Sequence, residues 1–534
     1  MALTLIITVL FMNGERLGIQ VITDADAENY AGTEHFTEND LDGAWDTGDA
    51  TVITLTGDGA EISGNGAYVY DGDVVIVQTG HYVVSGELTD GSIIVDAEDF
   101  SKVWILLENA SVTCSDDAAL RINEADKTFL TLAEGTENHL QSGSEMSEAA
   151  LKDGTDGAIY AHDDLTINGS GSLTVSAEYR HGIEANDELT ITGGTISITA
   201  PEDGINVNEE FCFTNASLVI SAGDDAIHSD KLVYVEDGTI TIEKCYEGLE
   251  AMIVEIHGGE ITICPTDDGI NANGGGGDNL FGMGGGMMPH MQDGFPAPES
   301  GEMPEMPDGA PAPESGERPE MPDSAPEGGE MPQMPQGGPG EMAPGAQMNG
   351  ETAEDSESAS ETEAVSPDET YILITGGKVT IINTEGSDAD GLDSNDNITI
   401  TGGEVTIFLN GDGGNNAIDY GSETGGTAVI DGGTVIACGG SMMLEEIDRS
   451  SAQAVIMING TAAEAGGTIT LADEDGNELL SAETPCGITA VTLSCPELQT
   501  GSTYTVTIGE ETQEITLTEQ VTTEGGMGMP TVEQ

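Results

Sequence analysis

The stretch HGIEANDELTITGGTISITAPEDGINVNEEFCFTNASLVISA, from His181 to Ala222, decides the fold. It states one phrase twice: a polar residue, a Gly and an Ile, as His181-Gly182-Ile183 and Asp203-Gly204-Ile205. The phrase recurs as Asp156-Gly157-Ala158-Ile159, Asp225-Ala226-Ile227, Glu247-Gly248-Leu249, Asp268-Gly269-Ile270, Asp390-Gly391-Leu392 and Asn416-Ala417-Ile418. From Gly157 the steps to Gly182, Gly204, Ala226, Gly248 and Gly269 are 25, 22, 22, 22 and 21 residues, and a fixed period in this range is the mark of a solenoid. Within each period the apolar residues alternate (Ile183 and Ala185, Leu189 and Ile191, Ile196 and Ile198), as strands with one buried face do. Between the second and third strands lies a Gly-rich turn: Gly193-Gly194, Asp237-Gly238, Gly258-Gly259, Gly376-Gly377, Gly402-Gly403, Gly432-Gly433. Glycine there supplies the positive φ that tight corners need. Three short strands and three corners in about 22 residues predict one coil of an all-β, right-handed parallel β-helix, each coil pairing with the next at roughly 4.8 Å.

One interval breaks the rhythm, because Gly269 and Gly391 are 122 residues apart. Residues 274–370 account for it: they hold GGGG, GMGGGMM and a near-duplicated unit (PAPESGEMPEMPDGA from Pro296, PAPESGERPEMPDSA from Pro311). Pro, Gly, Glu and Met in this proportion cannot bury a core, so a long disordered insertion is expected at one corner of a continuous helix. The expected organisation is a signal-like or tether segment over 1–28, an N-terminal cap with first coils over 36–150, and regular coils over 151–273. After the 274–370 insertion come final coils over 371–460 and a small antiparallel β cap over 461–523. A cap keeps the last coil from presenting unpaired backbone to other chains.

With 11 Lys plus Arg against 99 Asp plus Glu, the formal charge is -88, which excludes a nucleic-acid partner that would need its phosphates neutralised. It also disfavours anionic membranes, and it makes bound cations a natural part of the folded state. Met1 to Met12 form an apolar run of signal-peptide length without a preceding Lys or Arg, and no later stretch is apolar enough to span a bilayer. The expected address is extracellular or cell-surface, with the mature domain outside the membrane. Seven cysteines lack any C-x-x-C pair, so neither zinc-finger nor redox chemistry is indicated; buried thiols are expected, although Cys486 with Cys495, or Cys245 with Cys264, could pair.

The stretches YVVSGELTDGSIIVDA (from Tyr82), LTLAEGTENHL (from Leu130), DGAIYAHDDLTINGSGSLTV (from Asp156), HGIEANDELTITGGTISITA (from His181) and DGLDSNDNITITGG (from Asp390) closely resemble a bacterial family of secreted carbohydrate-binding parallel β-helix proteins. The resemblance covers roughly residues 36–520 and includes the Gly-Met-rich insertion before the final coils. It implies a fold like that of pectate lyases, bound calcium, and binding to cellulose and acidic pectic polymers such as polygalacturonate, with no established catalytic role.

In-register coils turn equivalent positions into columns. One, at the corner before each Gly, reads Asp156, His181, Asp203, Asp225, Glu247, Asp268, Asp390, Asn416; a second, on the outer face of the next strand, reads Tyr160, Glu184, Asn206, His228, Glu250, Asn271, Asp393, Asp419. A third reads His162, Asn186, Asn208, Asp230, Met252, Asn273, Asn395. Two bare carboxylates at about 4.8 Å repel by roughly 1 kcal/mol in water and by several at lower effective dielectric. Ca2+, which takes six to eight oxygens, would relieve the ladder, and Asp203, Asp224, Asp225, Asp267, Asp268 and Asp390 are the expected ligands. The bland alternative is that each Asp accepts bonds from corner amides. Tyr160, Glu184, Asn206, His228 and Asn271 are the expected sugar contacts, Tyr160 or Tyr420 by stacking.

The expected function is therefore calcium-dependent polysaccharide binding by a non-catalytic monomer. Two alternatives stand beside it. A lyase would need an Arg or Lys base, and Arg180, Lys231 and Lys244 are the only ones between Asp156 and the insertion. A hydrolase would need paired carboxylates, for which Asp224-Asp225 beside Asp203 fits only superficially, since the following coil offers Glu247-Gly248 where a His-Gly is wanted. The other alternative is a structural or adhesive surface protein in which the helix is a spacer.

Overall fold

The computed structural model describes residues 35–273 and 370–525, apart from 46, 99, 387, 388, 412, 413 and 423. The expected leader within 1–28 and the insertion up to residue 369 lie outside the described residues. The described residues belong to one compact unit, Met1–Gly277 with Val365–Gln534; the other unit, Asp278–Ala364, falls wholly among the undescribed ones.

Among the described residues the protein is nearly all β. Its two helices, α1 (Glu38–Leu41) and α2 (Glu148–Lys152), are 4 and 5 residues long, too short for the sequence to show a helical period. The strands of the repeat fall into three parallel ladders in which each strand pairs with its equivalent one period on. The first runs through Gly157–Ala161, His181–Ala185, Ile205–Val207, Ile227–Val235, Leu249–Ile256, Ile270–Ala272, Asp390–Ser394 and Asn416–Tyr420. Its inward column, Ile159, Ile183, Ile205, Ile227, Leu249, Ile270, Leu392, is fully buried. The second includes Asp164–Gly169, Leu189–Ile191 and Glu210–Phe213, and the third Ser172–Ser176, Thr195–Thr199 and Ser217–Ser221. Stacked Ile, Leu and Val from all three share one apolar core.

Pairing continues straight across the interval: Ile253–Ile256 pairs with Tyr371–Ile374, Glu260–Ile263 with Lys378–Ile381, and Ile270 with Leu392. At the far end, Ile488–Ser494 lies antiparallel between the last third-ladder strand, Thr434–Gly439, and Val455–Ala463. Thr468–Ala472, Glu478–Glu483, Thr503–Ile508 and Glu511–Thr516 form a separate four-stranded antiparallel sheet with its own core around Leu471, Val506 and Leu517. All seven cysteines are free.

Alignment on Gly157 places His181 one step after Asp156, but the register pairs His181 with Gly157. The first phrase carries one extra residue, so Ala158, not Gly157, is the equivalent of Gly182. Small residues are required in that column because a Cβ at Gly204 would lie 2.6 Å from the carbonyl oxygen of Ala226, and one at Gly248 2.2 Å from that of Gly269.

The Gly pairs of the other corner behave as their spacing suggests: the second Gly of each has positive φ, from 77° at Gly377 to 91° at Gly194. At Gly403 (φ 81°) a Cβ would also meet the Gly376 carbonyl oxygen at 2.7 Å. Gly403→Ala is expected to cost about 2 kcal/mol or more in urea melts, combining left-handed strain with the collision. Gly425→Ala, at φ 105° with open space around it, carries the strain alone and should cost less.

A short N-terminal segment is pinned on the outer face of the second ladder. Thr37 and Asp40 form a reciprocal capping box on α1, and the Asp40 side chain then points into the strands. There it accepts from Thr166 Oγ1 at 2.6 Å and pairs with Lys127 Nζ at 3.1 Å, while its backbone oxygen accepts from Asn168 Nδ2 at 3.2 Å and from Thr192 Oγ1.

Candidate functional site

The second column assembles as counting from the phrase suggests: Tyr160 pairs with Glu184, Glu184 with Asn206, Asn206 with His228, His228 with Glu250, Glu250 with Asn271, Asn271 with Asp393, and Asp393 with Asp419. The first column runs beside it. Its backbone carbonyls accept from the phrase glycines and alanines of the preceding rung, as in Gly182 N to Asp203 O and Gly204 N to Asp225 O. Side chains at positions i and i+3 of one phrase meet across that corner: His181 and Glu184 at 3.8 Å, Asp225 and His228 at 3.7 Å, Asn416 and Asp419 at 3.2 Å. The two columns therefore merge into one polar strip, which divides into three unlike clusters.

The middle cluster is internally satisfied. His228 Nδ1 lies 2.6 Å from Glu250 Oε2 and 3.7 Å from Asp225 Oδ2, Nε2 lies 3.3 Å from Asp230 Oδ1, and Asn273 Nδ2 donates to Glu250 Oε1 at 2.6 Å. Burial opposes protonation of His228, but the bonds to Asp225 and Glu250 outweigh it and raise the imidazole to about 11. It stands as a cation between carboxylates.

The second cluster offers only oxygen. Glu247, Asp267 and Asp268 bring one carboxylate oxygen each within 4.8 Å of one another, with Asn271 Nδ2 donating to Glu247 Oε2 at 2.8 Å. Burial first, then the charges of Glu250 and Asp225, push Glu247 up to about 9. Burial also raises Asp268 to about 7, and burial with the neighbouring Asp268 raises Asp390 to about 9. A set of carboxylates, Asp268 buried and Glu247, Asp267 and Asp390 half-buried, with no cation among them suits a hard dication.

The remaining cluster contains Asp156, His181 and Glu184. Arg180 reaches in from the side, its Nη1 on Asp156 Oδ2 and its Nε on Glu202 Oε2 at 2.7 Å. Burial, reinforced by the charge of Asp156, pushes Glu184 up to about 7.

This geometry lies largely inside a segment with relatives. Residues 70–275 match a family model described as "Carbohydrate-binding domain-containing protein". A protein of that same description from Acetivibrio thermocellus is 34% identical over 137 residues, which are 26% of this chain and 48% of the relative. The chain thus spans about half the length of the curated relative it matches. A solved structure described as the polysaccharide lyase-like protein from C. thermocellum, as a gadolinium derivative, is 27% identical with a TM-score of 0.38, over 40% of this chain and 91% of that one. The strip from Tyr160 to Asn271 falls within the matched residues; Asp393 and Asp419 lie beyond them.

The six acids expected to hold a metal are not one group. Asp267 and Asp268 come together with Glu247. Asp390 is tied to them through its backbone N–H, which donates to Asp268 Oδ1 at 2.6 Å. Asp225 joins His228 and Glu250, and Asp203 lies against His181. Asp224 is held above the usual carboxylate range by burial and by Asp203. Several acids also do what corner Asp residues ordinarily do: Asp203 Oδ1 accepts from Asp225 N at 3.1 Å, and Asp390 Oδ1 from Asn416 N at 2.8 Å.

Of the expected sugar contacts, Asn206 and His228 are half-buried, while Glu184 and Asn271 are buried. Tyr160 is 3% exposed and spends its hydroxyl on Asp153 O, with Asn186 Nδ2 donating to it, so its ring has no free face for stacking. Glu247, Glu250, Asp156 and His181 were present in the columns but not singled out as ligands. The i, i+3 relation within a phrase links His181 with Glu184 and Glu247 with Glu250; Asp156, whose own i+3 residue is Ile159, joins only through the stacking of the next rung.

Proposed function

We propose that this is a secreted, calcium-dependent polysaccharide-binding protein without catalytic activity, wound as a right-handed parallel β-helix. The observation that carries the reading is the unbroken register of the polar column from Tyr160 to Asp419. One repeated surface position calls for a repeated ligand, and a polysaccharide is a chain of equivalent hydroxyl-bearing units. The match of residues 70–275 to a carbohydrate-binding description supports it. Asn206 and His228 sit at the strip's accessible edge, with Asn208 and Asp230 exposed beside them to bond hydroxyls; Tyr160, Glu184 and Asn271 support them from beneath.

Glu247, Asp267 and Asp268, with Asp390 alongside, would hold the calcium. The bound ion would supply positive charge to a strip that otherwise repels an acidic glycan such as polygalacturonate. A non-catalytic role is supported by the state of two of the three candidate bases: Arg180 is committed to Asp156 and Glu202, and Lys231 to Glu209 at 2.6 Å. We place the protein outside the cell, as a monomer; among the described residues no helix is long and apolar enough to cross a membrane.

The test is a pull-down of the full chain on pectate, cellulose and xylan, with and without chelator. Binding to at least one glycan is expected, with a loss on chelation of about tenfold or more, equivalent to about 1.4 kcal/mol. His228→Ala should weaken binding by a similar factor, because it removes the cation between Asp225 and Glu250. Retention on none of the three would leave the spacer reading, and release of unsaturated uronate, seen in the ultraviolet, would replace binding by lyase chemistry.

A further inference from the structure

We propose that Asp156, His181 and Glu184 form a site for a divalent transition metal of the zinc class, separate from the oxygen-only cluster around Asp268. Each of the three offers a ligand atom, and these lie within 4.8 Å of one another. What distinguishes the site from a mere gathering of acids is that it is buried and unsatisfied. His181 is 2% exposed and Glu184 8%, yet His181 Nε2, Glu184 Oε2 and Asp156 Oδ1 have no hydrogen-bond partner. Buried polar atoms in a folded protein are nearly always paired, so several left unpaired at one point call for a partner. In the His228 cluster two rungs on, by contrast, both ring nitrogens are already hydrogen-bonded, Nδ1 to Glu250 and Nε2 to Asp230.

The orientation of the imidazole supplies the second argument. His181 Nδ1 faces Asp203 Oδ2 at 3.0 Å, close enough for ion pairing though off the line of a good hydrogen bond. Its Nε2 faces Glu184 Oε2 at 3.8 Å and Glu202 Oε2 at 4.0 Å. A carboxylate behind one ring nitrogen, with the other aimed at further carboxylates, is how metal-ligating histidines are oriented. Four-coordinate zinc with bonds of about 2.0–2.1 Å sets its ligand atoms about 3.3 Å apart, a few tenths of an ångström tighter than His181 and Glu184 now stand.

An imidazole nitrogen in the set selects against calcium and for zinc or its neighbours in the first transition row. Arg180 does not block the site, because it takes Asp156 Oδ2 and leaves Oδ1. With Asp156, Glu184 and Glu202 around one guanidinium, the surroundings stay net negative when the carboxylates are ionised.

The experiment uses the full chain, stripped of metal and then held in excess calcium so that oxygen-only sites are filled and the outcome is independent of the glycan-binding reading. Zinc uptake is measured by equilibrium dialysis and elemental analysis for wild type, His181→Gln, Glu184→Gln and His228→Gln, with folding checked by circular dichroism. Wild type and His228→Gln are expected to retain one equivalent more zinc than the other two variants. Cobalt(II) added to wild type should give the visible ligand-field bands of a four-coordinate site, lost in His181→Gln. Equal zinc uptake by folded wild type and His181→Gln, displacement of the zinc by calcium, or absence of the cobalt bands in wild type whichever variants fold, would each overturn the assignment.

Discussion

Stripped of divalent cations, the chain should lose stability as pH rises from about 5 to about 9, and regain it when calcium is added. The sign follows from Glu247, Asp268 and Asp390, whose carboxyls are raised to about 9, 7 and 9 in the fold by burial and by the charges of neighbouring carboxylates. A carboxyl harder to ionise in the folded than in the unfolded chain contributes stability below its unfolded pKa and loses it as pH climbs through the folded value. At pH 5 protons neutralise the cluster and a chelator should change the melting temperature little. At pH 9 the carboxylates are bare, and a calcium concentration one hundred times the Kd should restore about 2.7 kcal/mol per site. Calcium addition near neutral pH should also release protons. Melts with and without chelator at the two pH values test this; a chelator effect equal at both would remove the cluster from the account.

The second large effect is expected from Lys127→Met. Lys127 is 7% exposed and pairs with Asp40, 0% exposed, at 3.1 Å, and with Glu188 at 3.5 Å. Burial alone would raise Asp40, but the bonds from Thr166 and Thr37 and the charge of Lys127 outweigh it and hold the carboxyl low. Removing the ammonium strands a buried carboxylate, at a cost of about 3 kcal/mol or more. The double variant Lys127→Met with Asp40→Asn should recover part of that loss, because the stranded charge is gone. Denaturant melts measure both, and limited proteolysis near residue 42 should speed up in the single variant. An unchanged melt would show that the hydrogen bonds from Thr166 and Thr37 suffice for the carboxylate.

Much of the architecture is legible in the sequence because each rung solves the same local problem with the same residues. The alternation around Ile183, Leu189 and Ile196 marks strands, and the Gly pairs mark corners whose second residue has positive φ. Where the local rule is broken, reading from sequence slips. The extra residue at Ala158 shifts the first phrase by one against its Gly, and only the backbone pairing reveals it. The Asp40 contact with Thr166 spans 126 residues, and no local pattern announces it. The clusters were hidden for a different reason: columns identify which rungs stack, but not that residues i and i+3 of one rung meet across a corner. Exposure is equally silent in sequence, so a Tyr in an outward column reads as a sugar platform and is in fact covered.

The ladders also bear on how the chain accommodates what separates Asn273 from Thr370. Ile256 and Ile374 are rung neighbours in the ordinary way, although they are 118 positions apart in the chain. Closing a loop costs entropy that grows only with the logarithm of its length, about 0.6 kcal/mol for each doubling. This corner is therefore a place where a lineage could add or trim sequence freely, experimenting with a tether or a second binding module while the stacked strands on either side keep their chemistry.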